Sequence, residues 1–215
     1  MKIVHGWHLP DYDTHFEAYF EALHQAGKPC EYQQQQREAA LAFVKKQRVA
    51  VDIGCHVGLW SRPLAAIFQQ VVGFEPLALF HQCYKLNAPT ARLEPYALGD
   101  SDDVVDIVLP NNNTGMAHVV PDSEGSGSLR MYRLDDFQLV NVDLIKIDCE
   151  GYEYPILLGA SDTINSSRPV VVVEQKPHAY FEKYWGQYAA MEYMLDVLNY
   201  KIGKRVIDDW VLVPQ

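Results

Sequence analysis

The sequence predicts an α/β fold in which a mostly parallel sheet is covered by helices on both faces. From residue 49 onward, short β-branched runs alternate with segments whose apolar residues recur at helical spacing. The first β-branched run ends in a glycine-containing turn that leads directly into a helical segment. Strand–helix–strand alternation of this kind is typical of parallel sheets, because parallel strands need long crossover connections.

The 215 residues suffice for one ordinary globular domain, and 48% of them are apolar, which excludes a disordered or fibrous chain. The formal net charge is −10, and no long run of Lys and Arg is present. We therefore expect no nucleic-acid partner and no membrane partner, since both require a basic surface. A small neutral or cationic ligand fits the charge better.

The four cysteines form no CxxC pair and show no zinc-site spacing. The first ten residues lack the apolar core of a signal peptide, and no segment approaches the ~20 apolar residues of a membrane span. We expect a cytoplasmic protein with reduced thiols. His5, His8 and His15 are interpreted as surface or packing residues, because nothing nearby in the sequence completes a ligand set.

The first half of the chain is predicted to begin with two helices that are broken by Gly27-Lys28-Pro29. A buried strand and a helix then alternate twice, and Pro63 is tolerated because it falls in the first turns of its helix. The predicted elements are helices 13–26 and 33–46, strand 49–53, helix 58–70, strand 71–74, helix 77–87 and strand 93–98.

The second half is predicted to interrupt this alternation and then resume it. Residues 104–108 and 129–132 have the period of antiparallel edge strands, and the polar, Gly-rich segment 111–128 between them is long enough to be functional. The remaining predicted elements are strand 143–147, helix 154–164, strand 170–173, helix 180–198 and two short strands within 200–213 that close the sheet.

The turn after the first strand has the pattern Asp52-x-Gly54-x-x-x-Gly58. Glycines at these positions let the backbone approach a ligand, although an ordinary strand–helix turn is the alternative. The dinucleotide fingerprint G-x-G-x-x-G is not met, since His56 occupies its second glycine position and Asp52 would repel a pyrophosphate. The pattern favours a ligand that lacks phosphates and has a cationic end.

Carboxylates end three further predicted strands. Glu75 follows the second strand, where an acid is placed to hold the hydroxyls of a ribose, with a helix cap as the alternative. Asp148 and Glu150 follow the strand that contains Lys146, which we interpret as part of a structural ion pair. With Glu174, these acids could tune one another's pKa, hold a metal or accept a proton. We expect no metal, since 148 and 150 would face opposite sides of a continuing strand.

Several of these motifs, taken in order, resemble the FkbM-type methyltransferases, which depend on S-adenosylmethionine. The resemblance spans roughly residues 48–176, and Cys55-His56 stands where family members commonly have Ala-Asn. It implies a Rossmann-like class I fold with a seven-stranded sheet. Residues 47–215 would form the methyltransferase domain, and residues 1–46 would form a helical extension that precedes it in the chain. The motifs are Val51-Asp52-Ile53-Gly54 with Gly58 and Ser61, Phe74-Glu75-Pro76, Asn87, Ala97-Leu98-Gly99-Asp100, Leu134-Asp135-Asp136 and Lys146-Ile147-Asp148-Cys149-Glu150-Gly151.

The resemblance also implies roles for individual residues. The cofactor, S-adenosylmethionine, would lie over the ends of the first three strands, and the acceptor would be a hydroxyl of a small molecule or sugar. The implied cofactor residues are Asp52, Gly54, His56 and Gly58 for the methionine end, Glu75 and Pro76 for the ribose, Ala97 and Leu98 for the adenine, and Asp148 for the sulfonium. The catalytic candidates are Asp148, Glu150, Glu174 and His178.

Two other functions stay open at this point. An NAD(P)-dependent oxidoreductase would use the same kind of turn, although Asp52 and His56 disfavour it. A non-catalytic domain that keeps only the cofactor fold would have no need of the acids at 52, 75 and 148. The oligomeric state is not predicted.

Overall fold

Thirteen strands are present in the computed structural model, which describes residues 1–109, 117–120, 128–175 and 185–215. Seven of them form a central sheet in the order β12-β13-β11-β10-β3-β4-β5. The strands are β1 (Lys2–Val4), β2 (Trp7–Leu9), β3 (Val49–Ile53), β4 (Gln70–Phe74), β5 (Arg92–Glu94), β6 (Ala97–Leu98), β7 (Asp103–Val108), β8 (His118–Val120), β9 (Leu129–Tyr132), β10 (Val142–Ile147), β11 (Val170–Glu174), β12 (Tyr200–Val206) and β13 (Asp209–Pro214).

The central sheet is mixed, with one reversed strand at its C-terminal side. β5, β4, β3, β10 and β11 pair in parallel, whereas β13 is antiparallel to both β11 and β12. The reversal follows from the two-residue connection between β12 and β13, because only antiparallel strands can be joined by so short a turn. The two closing strands and the seven-stranded α/β sheet are as predicted.

Both faces of the central sheet are buried, which explains the near-continuous β-branched runs of its strands. Successive residues of a strand enter two different apolar clusters, as the two-residue period requires. One cluster takes Val51, Ile53, Val171 and Val173 and packs on Ile156, Leu157, Ile164, Met191 and Met194. The other takes Ala50, Leu144, Val170 and Val172 and packs on Ala39, Ala40, Trp60 and Leu64. Helices therefore cover both faces, as the sequence predicted.

The helices that follow β3 and β10 are shorter than predicted. Helix 58–70 was expected, but only Ser61–Ala65 is α-helical, and Gln70 already belongs to β4. None of the helices in the described ranges is long and apolar enough to cross a membrane. The helices are α1 (His15–Gln25), α2 (Gln34–Leu41), α3 (Ser61–Ala65), α4 (Ala78–Asn87), α5 (Glu153–Leu158), α6 (Ser161–Ser167) and α7 (Ala189–Glu192), with a 3₁₀ turn at Leu134–Phe137 and a π-helical turn at Tyr193–Val197.

The predicted helix 154–164 is divided into α5 and α6 at Gly159. A Cβ atom at Gly159 would lie 1.9 Å from the carbonyl oxygen of Gly99, so the break lets two backbone segments approach closely. Helix 180–198 was also expected, and its first residues fall outside the described ranges. Its described part is α7 with the π-helical turn that follows.

A second sheet of four strands lies beside the first, in the order β6-β9-β7-β8. The antiparallel pairing of β7 with β9 confirms the edge strands predicted there. The single strand predicted at 93–98 is wrong, because β5 joins the central sheet and β6 joins the second one. Pro95 lies between them, where its missing N–H removes a ladder hydrogen bond.

The N-terminal segment contains a β1–β2 hairpin that was not predicted, besides the two predicted helices. Its apolar side chains form a third cluster with residues of the turn after β3 and of α4. Asn87 joins these parts, since its side-chain amide donates to the carbonyls of His8 and Val57 at 2.9 and 2.8 Å. The cluster includes Val4, Trp7, Leu9, Phe16, Phe20, Val57, Leu59, Phe80 and Cys83.

Candidate active site

A pocket opens at the carboxyl ends of β3, β4 and β10, where ligands of open α/β sheets bind. Nine of the site residues named from the sequence line it: Asp52, Gly54, His56, Glu75, Pro76, Ala97, Leu98, Asp148 and Glu150. Gly58 and Glu174 are not part of its lining, although Glu174 lies close to two residues that are. His178 lies outside the described residues.

The two glycines of the turn make room for neighbouring protein atoms. Both have a positive φ, and a Cβ at Gly54 would lie 2.1 Å from the carbonyl oxygen of Asp148. At Gly58 the added atom would meet the ring of Tyr84 at 3.3 Å. The close contacts give both positions a structural reason for glycine, and their role toward a ligand stays a prediction. Gly54 lets the ends of β3 and β10 approach each other.

Glu75 connects the tip of β4 to the turn after β3. Its carboxylate accepts hydrogen bonds from the backbone N–H of His56 at 3.1 Å and of Leu77 at 2.9 Å. Burial raises the pKa of this carboxyl to about 7, against the lowering effect of the two hydrogen bonds. The ribose site and the helix-cap alternative are thus compatible, because a carboxylate has further lone pairs for a ligand.

Asp52 is fully buried at the end of β3. One oxygen, Oδ2, accepts a hydrogen bond from the Ser61 hydroxyl at 2.7 Å, and Ser61 in turn accepts one from the hydroxyl of Tyr84 at 3.0 Å. Within the described part of the chain, the other oxygen has no hydrogen-bond partner. Because an unpartnered buried acceptor costs about 1–3 kcal/mol, this atom is suited to a ligand with a donor group.

His56 lines the pocket in a conformation that few residues adopt. Its φ is +51°, in the left-handed region where Asn and His are enriched, which explains how His replaces the Asn common in the family. The ring lies 3.9 Å from that of Phe80 and 5.1 Å from that of Phe16, between centroids. Burial, with the charge of Lys146, lowers the imidazole pKa to about 3. Neither ring nitrogen has a hydrogen-bond partner among the described residues.

Lys146 forms the predicted ion pair at the end of β10. Its ammonium group donates to the Asp148 carboxylate at 2.9 Å, and only 4% of its side chain is exposed. Burial opposes the charge, but the carboxylates of Asp148 and Asp52 outweigh it and raise the lysine pKa. A cation–π contact of 5.8 Å to the ring of Trp60 completes its surroundings. Lys146 is therefore a structural cation between two acidic side chains.

Three acids gather beside this ion pair. The carboxylate oxygens of Asp148, Glu150 and Glu174 lie within 4.8 Å of one another. The expectation that 148 and 150 face opposite sides is wrong, since residues two apart lie on the same face of a strand. β10 in fact ends at Ile147, and Glu150 has a φ of +52°. The loop is held by Glu153, whose carboxylate accepts from the N–H groups of Cys149 and Gly151 at 2.9 and 3.1 Å.

Aromatic side chains line much of the pocket and were not identified from the sequence. Trp60 and Phe80 follow the two strand-end turns, so their position just after each motif was a usable signal. Phe16 and Tyr32 had no such signal, because their place depends on how the N-terminal segment folds back over the sheet. Burial raises the pKa of the Tyr32 hydroxyl, and the nearby charge of Asp148 raises it further.

The profile of the methyltransferase FkbM domain family matches residues 52–202, more than two-thirds of the chain. The chain belongs to the FkbM methyltransferase family. The resemblance noted in the motifs is thereby confirmed, and this is a methyltransferase domain. The match decides against the NAD(P)-dependent oxidoreductase. A search of curated proteins gave no match.

Solved structures show the same fold. The methyltransferase FkbM from Methylobacillus flagellatus KT is 17% identical, with a TM-score of 0.54 over 95% of this chain and 55% of its own. The present chain thus spans about half the length of that protein. A TehB-like SAM-dependent methyltransferase from Corynebacterium glutamicum ATCC 13032 Kitasato is 12% identical, with a TM-score of 0.50 and coverages of 94% and 98%. An rRNA methylase from Streptococcus thermophilus is 8% identical, with a TM-score of 0.50 and coverages of 84% and 95%.

Proposed function

We propose that this FkbM methyltransferase transfers the methyl group of S-adenosylmethionine to a hydroxyl of a small molecule or sugar. The observation that carries the proposal is the pocket itself, in which Asp52 and His56 carry buried polar atoms that lack protein partners in the described ranges. Such atoms are costly to keep unless a ligand satisfies them. They occur at the turn that the family uses for its cofactor.

The residues of the pocket fit the proposed cofactor. The second oxygen of Asp52 accepts from a cationic amine, and the neutral imidazole of His56 offers a donor and an acceptor at the methionine end. Glu75 and Pro76 take the ribose, and Ala97 with Leu98 takes the adenine. S-adenosylmethionine supplies an electrophilic methyl group on a positively charged sulfur. Asp148, beside that position, adds a negative charge that favours a cationic ligand.

The acceptor site lies where the acids meet the N-terminal segment. Tyr32 reaches the pocket from this segment. The charge of Asp148 raises the pKa of its hydroxyl, and the charge of Lys146 lowers it. Glu174 contributes a third carboxylate to the same place. A surface of carboxylates and one phenol suits a neutral polyhydroxyl acceptor, whose hydroxyl groups donate hydrogen bonds to them.

Glu150 is the proposed general base. It lines the pocket, and one of its carboxylate oxygens lies within 4.8 Å of carboxylate oxygens of Asp148 and Glu174. Methyl transfer is an in-line displacement, so the protein mainly positions the two reactants and excludes water. Glu150 would take the hydroxyl proton as the acceptor oxygen bonds to the methyl carbon. The bond between that carbon and the sulfur of the donor would break, and its electron pair would stay on sulfur, which leaves as a neutral thioether.

The test is a transfer assay with S-adenosylmethionine that carries a labelled methyl group. Sugars, polyol lipids and phenols are offered as acceptors, with primary amines of matched skeleton as controls. We expect label in a product that is stable to mild base and forms only with hydroxyl acceptors. Transfer to the amines alone would contradict O-methylation. Cofactor binding without transfer to any acceptor would favour the non-catalytic alternative.

A further inference from the structure

Three metal-ligating side chains meet in the N-terminal segment, and none of them lines the pocket. One ligand atom from each of His5, His24 and Cys30 lies within 4.8 Å of the others. Two imidazoles and a thiolate are a donor set that suits zinc. We propose that these residues bind a Zn²⁺ ion. This differs from the expectation of no metal.

The hairpin turn presents the first ligand. Val4 pairs with Trp7, which leaves His5 and Gly6 as a two-residue connection with φ values of +46° and +83°. Positive φ at both positions is typical of a type I′ turn, whose twist matches that of the two strands. His5 therefore stands at the tip of the hairpin, where its imidazole is accessible to an ion.

The end of α1 brings the other two ligands together. The N–H of Gly27 donates to the carbonyl of His24, and the N–H of Lys28 donates to that of Leu23, both at 2.9 Å. With Gly27 at a φ of +64°, this is a Schellman motif, which reverses the chain at a helix end. The reversal returns Cys30 along the last turns of α1 and places it beside His24.

The loop that carries Cys30 is fixed to the hairpin. The indole N–H of Trp7 donates to the carbonyl of Cys30 at 2.6 Å. The thiol makes only a weak contact of 3.6 Å with the carbonyl of Phe20, and it is partly exposed. Zinc binding displaces the thiol proton, so this weak hydrogen bond is exchanged for a metal–thiolate bond.

The side chains must rotate to close on an ion. Ligand atoms of a tetrahedral zinc lie roughly 3.5 Å apart, somewhat closer than the upper limit observed here. The rings of His5 and His24 are stacked, with centroids 4.0 Å apart and an angle of 22° between their planes. Glu21 lies 3.1 Å from Nε2 of His5 and shares a helix face with His24. Its carboxylate is within reach as a fourth ligand.

Zinc at this place would join the hairpin, α1 and the loop that precedes Tyr32. Phe16 of α1 and Tyr32 both line the pocket, so the ion stabilises the segment that closes the proposed acceptor site. An ion that binds the folded chain and not the unfolded one raises stability by mass action. Zinc is therefore expected to act on this segment without taking part in methyl transfer.

The test is a titration of the full, reduced chain with Co²⁺, a spectroscopic substitute for zinc. We expect one equivalent to bind with a thiolate-to-metal absorption band, and Zn²⁺ to displace it. Cys30→Ser removes the band, and His24→Gln weakens binding by at least about tenfold. His15→Gln is the control, because His15 is an exposed histidine on the same helix, outside the ligand set.

Two further measurements use the wild-type chain, so they do not depend on whether the variants fold. In the wild-type chain, Zn²⁺ should slow alkylation of Cys30 and raise the melting temperature. No saturable binding would overturn the proposal, and so would equal affinity for the wild-type and Cys30→Ser chains. Binding that is lost in Glu174→Gln but kept in His24→Gln would also overturn it, since the ion would then lie at the acidic strand ends.

Discussion

The carboxylate of Glu75, at the tip of β4, accepts a hydrogen bond from the backbone N–H of His56, in the turn after β3, at 3.1 Å. This contact joins the two motifs that the sequence placed 19 residues apart. It fixes the turn whose side chains face the proposed cofactor. Glu153 makes the same kind of contact at the end of β10, where its carboxylate accepts hydrogen bonds from two backbone N–H groups of the following loop.

The buried Glu75 carboxyl is expected to make stability depend on pH. Its pKa is raised from 4.5 to about 7 in the folded chain, so its contribution is fully present below pH 4.5 and lost as the pH rises through 7. The loss is on the order of 3 kcal/mol. Urea unfolding of the ligand-free protein between pH 4.5 and 8 measures it by comparison with a variant that lacks this carboxyl, because burial also raises the pKa of Glu153 to about 7 and that of Asp209 to about 6.

Glu75→Gln removes this titration and is the matched variant. The free energy of unfolding of the variant relative to wild type should rise as the pH increases across the same window. Glu192→Gln, at an exposed position, is the control and should leave the wild-type profile unchanged. Parallel profiles for wild type and Glu75→Gln would contradict the burial of a titrating carboxyl at this position.

Gly54→Ala is expected to destabilise the chain by more than about 4 kcal/mol, because two costs combine. The residue has a φ of +75°, and its Cβ would meet the Asp148 backbone oxygen at 2.1 Å. Gly27→Ala is the control, since its φ is +64° and no described atom lies within 4 Å of the added Cβ. Its cost should be only about 1–2 kcal/mol. Equal losses in chemical denaturation would show that the close approach to Asp148 is unimportant.

Lys146→Met should cost about 3–5 kcal/mol near neutral pH, because it leaves the buried Asp52 and the half-buried Asp148 without their cation. The loss should shrink as the pH falls, since protonation neutralises the two carboxyls. Lys201→Met, on the exposed side of β12, is the control and should have little effect. A loss that is independent of pH would mean that Lys146 acts mainly through packing.

Glu150→Gln should lower kcat for methyl transfer by about 10²–10⁴, as expected for loss of a general base. The affinity for S-adenosylmethionine should stay within a few-fold of wild type. The acidic limb of the pH–rate profile, on which the rate rises as the base loses its proton, should disappear. Glu38→Gln, exposed on α2, is the control. An unchanged kcat would move the role of base to Glu174 or His178.

The parallel core of the fold was predictable because its signals are local. β3, β4, β10 and β11 lie within one residue of their predicted bounds, since each is a short segment rich in β-branched residues and buried on both faces. The failures depend on contacts between distant residues. The break at Gly159 depends on Gly99, and the two strands on either side of Pro95 separate because they pair in different sheets.

The site residues likewise fall into those that local sequence signals identified and those that depend on distant contacts. The acids at strand ends were identified, because a parallel sheet brings its carboxyl ends to one edge whatever the loops do. Tyr32 and the grouping of His5, His24 and Cys30 were not, since they depend on how the N-terminal segment reverses after α1. The relative placement of Glu150 was mistaken because residues two apart on a strand share a face, so alternation never separates 148 from 150; β10 moreover ends at Ile147.

The central claim, that this pocket binds S-adenosylmethionine with Glu75 on the ribose, is tested most directly by calorimetric titration. S-adenosylmethionine and its demethylated product are titrated into wild type, Glu75→Ala and the exposed control Glu192→Ala, with folding checked by circular dichroism. We expect micromolar binding to wild type and the control, and a loss of more than about tenfold, or ~1.4 kcal/mol, in a folded Glu75→Ala. Absence of heat with both ligands in the wild-type chain would contradict the claim.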